Sequence, residues 1–219
     1  MVGHSREGEQ FMSETTMTGS TAGMDPETEE LAKQVADQVE TFLISVREIS
    51  QYEVSSGQAI SLLLLVVSQV LAAGGQLGVQ ADFTPSEEYE PDPGPDPDMD
   101  DMRLRLALLL EGVDAYTEVF DPYADPPELV SSLLSDDLTS IASSLAHGLT
   151  HHKSGRVAEA LWWWQFSYVS AWGGEASAVL RALQSVVAHD RLDAEFESEQ
   201  EAVEAAELLL GGPVPQVAR

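Results

Sequence analysis

The chain has 219 residues, 43% of them hydrophobic, with 38 acidic against 10 basic side chains and a net charge of −28. That length and apolar share support one good-sized core, and the lack of cysteine excludes disulfides, thiolate metal sites and cysteine nucleophiles. Scarce Lys and Arg argue against direct binding to nucleic acid or to an anionic membrane, which both need clustered positive charge.

The acidity is unevenly spread. Residues 1–30, 82–101 and 193–219 carry −6, −9 and −6, leaving −7 for the body. Arms and a linker therefore hold most of it, which favours solubility over mimicry of nucleic acid by a rigid surface. Residues 1–25 are rich in Ser, Thr and Gly and have no apolar h-region. A disordered arm without a secretory signal, on a cytoplasmic protein, is the expectation.

Asp25-Pro26 reads as an N-cap followed by proline at the first helical position. Leu31, Val35, Val39, Phe42, Val46 and Ile49 then recur at steps of three and four, so the spacing predicts a helix. After a break at Ser55 to Gly57, a second helix is expected from about Gln58 to Ala73, ended or loosened by Gly74, Gly75 and Gly78. Its apolar run from Ala59 to Ala73 is shorter than the roughly 20 residues of a membrane span. A buried helix is expected instead, either inside one chain or at the interface of a homodimer.

Residues 81–101 form an acidic, proline-rich linker, which is expected to be extended and solvated. Met102, Leu106, Leu109, Val113, Tyr116 and Phe120 again step by three and four and predict a third helix. Asp121 to Pro127, DPYADPP, reads as a rigid turn. A fourth helix is expected from there to about Lys153, whole or broken near Ser135, with Gly155 beyond its end. No stretch alternates with period two between turn signals, so no strand is assigned.

The densest feature is Leu161 to Trp172, LWWWQFSYVSAW, which holds all four tryptophans. Adjacent helical residues point about 100° apart, so Trp162, Trp163 and Trp164 together cover more than half the circumference. Such a helix belongs in the middle of a bundle. Gly173-Gly174 is expected to kink or break it, before an amphipathic stretch from Ala176 to Leu192. The fold expected is all-α, a single bundle of about six helices within residues 26–193 around a central Trp-rich helix. Residues 194–219 are expected to be an acidic tail with a short helix from Ala202 to Leu210, a candidate for docking a partner.

His147, His151 and His152 are the clustered histidines. An i, i+4 pair can hold a metal, but a zinc-protease signature needs Glu where Gly148 stands. On a helical wheel Asp136, Ser140, Ser143, His147 and His151 share the face opposite Leu134, Leu138, Ile141, Leu145 and Leu149. A solvated face is therefore expected, and no metal ligand is assigned. Trp164, Tyr168 and Trp172 make one stripe, Trp162 and Phe166 another; stripes of this kind more often form core than a cation cage. Arg103 and Arg105 stand beside local acids such as Asp101. No P-loop, GxSxG or dinucleotide-binding glycine pattern is present, so neither catalytic residue nor cofactor is assigned. Two functions remain open. One is a non-enzymatic interaction or adaptor protein with an unidentified protein partner. The other is a small-ligand- or metal-binding protein with a pocket among Asp136, His147, Trp163 and Arg103.

Two resemblances add to this. Ser144 to Ser167 partly resembles one tetratricopeptide unit, with Gly148, His151, Gly155, Ala160 and Trp164 at its spacing, but in a single copy where such arrays need about three. The stretches GQAISLLLLVVSQVL, DFTPSEEYEPD, MRLRLALLLEGVDAYTEVFDP and DDLTSIASSLAHGLTHHKSGRVAEALWWWQFSYVSAWG, with ALRALQSVVAHDRLD, resemble an uncharacterised bacterial family, domain of unknown function 5063. The resemblance spans about Val35 to Asp193 and implies no activity, cofactor or catalytic residue.

Overall fold

The structure is a computed structural model that describes residues 24–210 apart from positions 53, 88, 90, 93 and 96, with side chains as far as residue 192. The elements run α1 (Pro26–Gln51), α2 (Ser56–Gly78), α3 (Asp100–Leu109), β1 (Ala115–Asp121), β2 (Glu128–Leu133), α4 (Leu134–Lys153), α5 (Val157–Ser167), a π turn (Tyr168–Trp172) and α6 (Gly173–Leu210). The fold is all-α but for one hairpin. Because α5, the π turn and α6 follow without a gap, the helices form five rods rather than six. The disordered arm expected before residue 24 and the chain after residue 210 lie outside the described residues.

The expected N-cap is in place. Asp25 Oδ1 accepts from the N–H groups of Glu27 and Thr28 at 3.0 and 3.1 Å, with proline next in the chain. The apolar steps read from α1 all face inward, from Val35 to Ile49, except that Leu31 is half-buried. Helix α2 runs past its expected end to Gly78. Its 23 residues are long and apolar enough to cross a membrane by length and composition, yet in this fold Ile60, Leu63, Val67, Val70 and Leu77 are buried.

Gly74 and Gly75 lie within α2 without ending it, whereas Gly78 is its last residue. At Gly74 the missing side chain has a steric role. A Cβ on Gly74 would lie 2.5 Å from the Tyr168 ring and 2.6 Å from Trp172. The same holds across the α4–α5 pair, where a Cβ on Gly148 would collide with the indole of Trp164. Trp164 and Trp172 are fully buried. Each indole N–H of the inner stripe donates to a carbonyl, Trp164 to Leu145 at 3.1 Å and Trp172 to Trp164 at 3.3 Å. Burial of the indole with its N–H satisfied avoids the cost of a stranded donor. The outer pair, Trp162 and Phe166, stacks with centroids 5.6 Å apart, and Phe166 is exposed.

Gly173-Gly174 neither breaks nor sharply ends the rod. The Gly173 N–H donates to the Tyr168 carbonyl, an i to i−5 bond that defines the widened turn. A Cβ at Gly173 would collide with that carbonyl and with the Tyr168 ring, so the π turn closes only around glycine. Gln165 ties the rod to the end of α2. Its Nε2 donates to the Leu77 carbonyl at 3.0 Å, and its Oε1 accepts from Phe83 N–H at 2.8 Å. Buried Glu159 takes the Ser86 N–H at 2.9 Å, so the start of the acidic segment is held to α5 by two side chains.

The expectation of no strands is overturned between residues 110 and 134. Helix α3 stops at Leu109, and Gly112 takes a φ of +92°, which ordinary side chains avoid. Ala115–Asp121 and Glu128–Leu133 then pair antiparallel, Ala115 opposite Leu133 and Val119 opposite Leu129. The three-and-four spacing of Val113, Tyr116 and Phe120 continues that of α3 by coincidence. Residues such as Tyr116, Thr117, Val119 and Phe120 suit a pleated ribbon better. Helix α4 accordingly begins at Leu134, not after Pro127. Asp114 caps it from the far side of the hairpin: its carboxylate accepts from Ser135 N–H at 2.8 Å and Ser135 Oγ at 2.9 Å.

If the glycine notches seat the aromatic rod, Gly148→Ala overpacks the core and lowers stability by about 1–3 kcal/mol. Gly75→Ala, where an added Cβ meets nothing within 4 Å, gains roughly 0.5–1 kcal/mol from helix propensity. Chemical denaturation of the two variants checks the contrast; equal effects would show that the notches do not bear on packing.

Candidate functional site

The four residues singled out in the sequence fall into two pairs. Arg103 Nη1 lies 3.5 Å from Asp136 Oδ1 on a half-exposed surface near the start of α4. His147 packs its ring on Trp163 with centroids 4.1 Å apart, and Trp163 Nε1 donates to the Ser144 carbonyl at 2.8 Å. Asp136 and His147 are eleven residues apart on one helix, about 16 Å along its axis, so the pairs do not share a pocket. The solvated histidine face is corrected as well: His151 is wholly buried and His147 partly so. The aromatic rod of α5 lies over that side of α4, which a wheel drawn on α4 alone does not include. Arg105 pairs with Asp101 at 2.8 Å as an ordinary i, i+4 surface contact.

A different site stands out. A cleft of about 1000 Å³ opens between β1 on one side and the π turn and α6 on the other. Val169, Ser170 and Ala171 of the π turn form one end of its wall. Turns of this kind are rare within helices and frequent at functional sites. Ser177, Ala178 and Ala182 keep the α6 wall low. Three apolar side chains around the opening are solvent-exposed, Val119, Phe120 and Val169, the last at 76%.

The cleft has an acidic floor. Tyr116 Oη donates to Asp137 Oδ2 at 2.8 Å, Ser140 Oγ donates to Glu175 Oε1 at 3.1 Å, and Ser132 Oγ donates to Glu118 Oε1 at 3.4 Å. Glu175 Oε2 is enclosed and accepts no hydrogen bond among the described residues. Burial pushes the Asp137 carboxyl up to about 6; Tyr116 opposes this by donating, and Glu175, Glu118 and Asp136 reinforce it. Burial also raises Glu175, against the bond from Ser140 and with the help of Glu118. The Tyr116 hydroxyl is held well above its ordinary range by burial and by the carboxylate it serves. No group of three or more His, Asp or Glu among the described residues is arranged to hold a metal ion.

Sequence reasoning missed this site because its strand runs against hydropathy. On β1 the half-buried residues include Tyr116 and Glu118, while Val119 and Phe120 are exposed. Gly112 followed by β-branched and aromatic residues was the available signal.

The match to the family model for a domain of unknown function, DUF5063, covers residues 26–189, and the chain belongs to that family. Its fold is similar to the crystal structure of protein BF1032 from Bacteroides fragilis. The two are 15% identical with a TM-score of 0.55, over 74% of this chain and 92% of that one. No match was found among curated proteins.

The raised Asp137 gives a signed pH dependence. Its folded value near 6 lies above the ordinary 3.8, so between these values the folded chain holds the proton more tightly than the unfolded one. Stability from this group therefore falls as pH rises through that window and stays lowered above it. Asp137→Asn keeps an acceptor for Tyr116. It is expected to match the parent near pH 4 and to exceed it by about 1 kcal/mol above pH 7, the full shift being discounted for a half-exposed group. Urea unfolding at pH 4, 5.5 and 7.5 measures this; a variant weaker by the same amount at all three would contradict it.

Proposed function

We propose that this protein is a non-enzymatic interaction module that docks a partner protein in the cleft between β1 and α6. The observation that carries the reading is the pairing of exposed apolar side chains, Val119, Phe120 and Val169, with a partly enclosed carboxylate floor. Exposed apolar groups rimmed by polar ones mark interaction surfaces, and fixed carboxylates set sign and register for what docks there. The scaffold is suited to this, because the cleft wall belongs to the same rod that the buried tryptophans fix in the core. A second copy of the chain is a poor occupant at a net charge of −28, since like charges oppose close approach. The small-ligand alternative has its best counterpart in the His147–Trp163 stack.

Native mass spectrometry on the tagged full chain, purified gently from its own host, tests the reading when run beside a cleft variant. Val169→Glu with Ala178→Arg changes cleft side chains outside the buried core, and circular dichroism checks that the variant keeps the fold. The expected result is a protein partner that accompanies the parent and is lost from the variant. A stoichiometric small-molecule or metal adduct, a homodimer, or a partner retained by the variant would overturn it.

A further inference from the structure

This inference deepens the proposed docking role and rests on it. Six consecutive residues of β1, Ala115 to Phe120, border the cleft. Side chains on a strand alternate between faces, so a cleft against one face would touch every second residue. One that touches all of them runs along the strand's edge. No residue of β2 lines it, which places it on the edge of β1 opposite its partner in the two-stranded sheet. Among the described residues no strand pairs the backbone N–H and C=O groups of that edge. Edges are protected by lysine, proline, bulges, inward-pointing charges or a covering element. β1 has no lysine or proline, and its bulge falls only at the far end, between Val119 and Asp121. Its one half-turned-in charge before that bulge is Glu118, and α6 stands across the cleft.

The two walls match in length. Seven residues of β1 extend about 23 Å, and the face of α6 from Gly174 to His189 rises about 22 Å. An extended segment laid between them would pair its backbone with β1 and alternate its side chains between the floor and the opening. On the floor it would meet Glu118 and Glu175, the second with one oxygen enclosed and unbonded. At the opening it would meet Val119 and Phe120. Arg181, which donates to Gln184 Oε1 at 2.7 Å, stands six residues further along α6 than Glu175. It disfavours a second cation at that point.

We propose that the occupant is an extended segment of a partner protein that adds to the free edge of β1 as a third strand, with a single Lys or Arg placed against Glu118 and Glu175. Main-chain pairing supplies affinity in this mode and alternate side chains supply selectivity.

Selection of a displayed random heptapeptide library on the full chain, followed by synthesis of the best binder, tests this. Enriched sequences should alternate β-branched or aromatic residues with one fixed Lys or Arg. Changing that residue to Glu should weaken binding at least tenfold, and Glu175→Gln should reduce this preference to under threefold. N-methylation of one alternate set of amides should abolish binding while the other set is tolerated, a readout that side-chain contacts alone would not give. Failure to enrich any sequence, indifference to both methylation patterns, or a preference unchanged in Glu175→Gln would overturn the proposal. Such failure is distinguishable from failure of the docking role: a host partner lost from the cleft variant would then stand, bound by another mode.

Discussion

The structure depends on aromatic rings filling notches where other helices lack side chains. Trp164 lies over Gly148, and Tyr168 and Trp172 lie over Gly74, so α5 and the π turn approach α4 and α2 more closely than any β-carbon would permit. Close approach brings the Trp164 N–H to the Leu145 carbonyl of α4, while Trp172 donates within its own rod to the Trp164 carbonyl. Packing and hydrogen bonding therefore impose the same geometry, which gives a rigid core. Truncating a fully buried tryptophan in such a place costs on the order of 3–5 kcal/mol, a large part of an ordinary domain's stability.

The cleft follows from that seating. Gly173 accommodates the carbonyl of Tyr168, the helix widens by one residue, and Val169, Ser170 and Ala171 turn outward as α6 begins. The hairpin is fixed on the opposite side by local bonds rather than by a core of its own. Asp114 caps α4 at the hairpin's base through Ser135, and Tyr116 reaches Asp137 in the same first turn. Burial raises both Glu175, which lines the cleft, and Asp137, which sits behind Tyr116, and a buried carboxylate such as Glu175 favours an incoming cation that restores its charge.

The helical part of this fold was legible because its signals were local. The Asp25-Pro26 cap, the stepping of Val35 to Ile49 and the girth of the Trp-rich stretch each name a helix and a buried face. The strands were not legible, since β1 turns Glu118 partly inward and Val119 outward, the reverse of the usual alternation. Glycine was ambiguous for a physical reason. Gly112 ends a helix with a positive φ, whereas Gly74, Gly148 and Gly173 sit inside helical runs to make room for rings. A sequence shows the missing side chain but not which of the two uses it serves. The candidate site suffered similarly: the wheel of α4 separated polar from apolar residues, but a second rod covers part of the polar side and buries His151.

Docking in the cleft requires it to be preformed, with the hairpin and the rod fixed against each other when no partner is present. The chain has no cysteine, so nitroxide labels can be placed on Thr117→Cys and Arg181→Cys, one on each wall. Electron–electron distance measurements on the full-length protein without a partner should give a single narrow distribution. A broad or two-peaked distribution would contradict the account, because the hairpin would then sample α6 rather than stand fixed across from it.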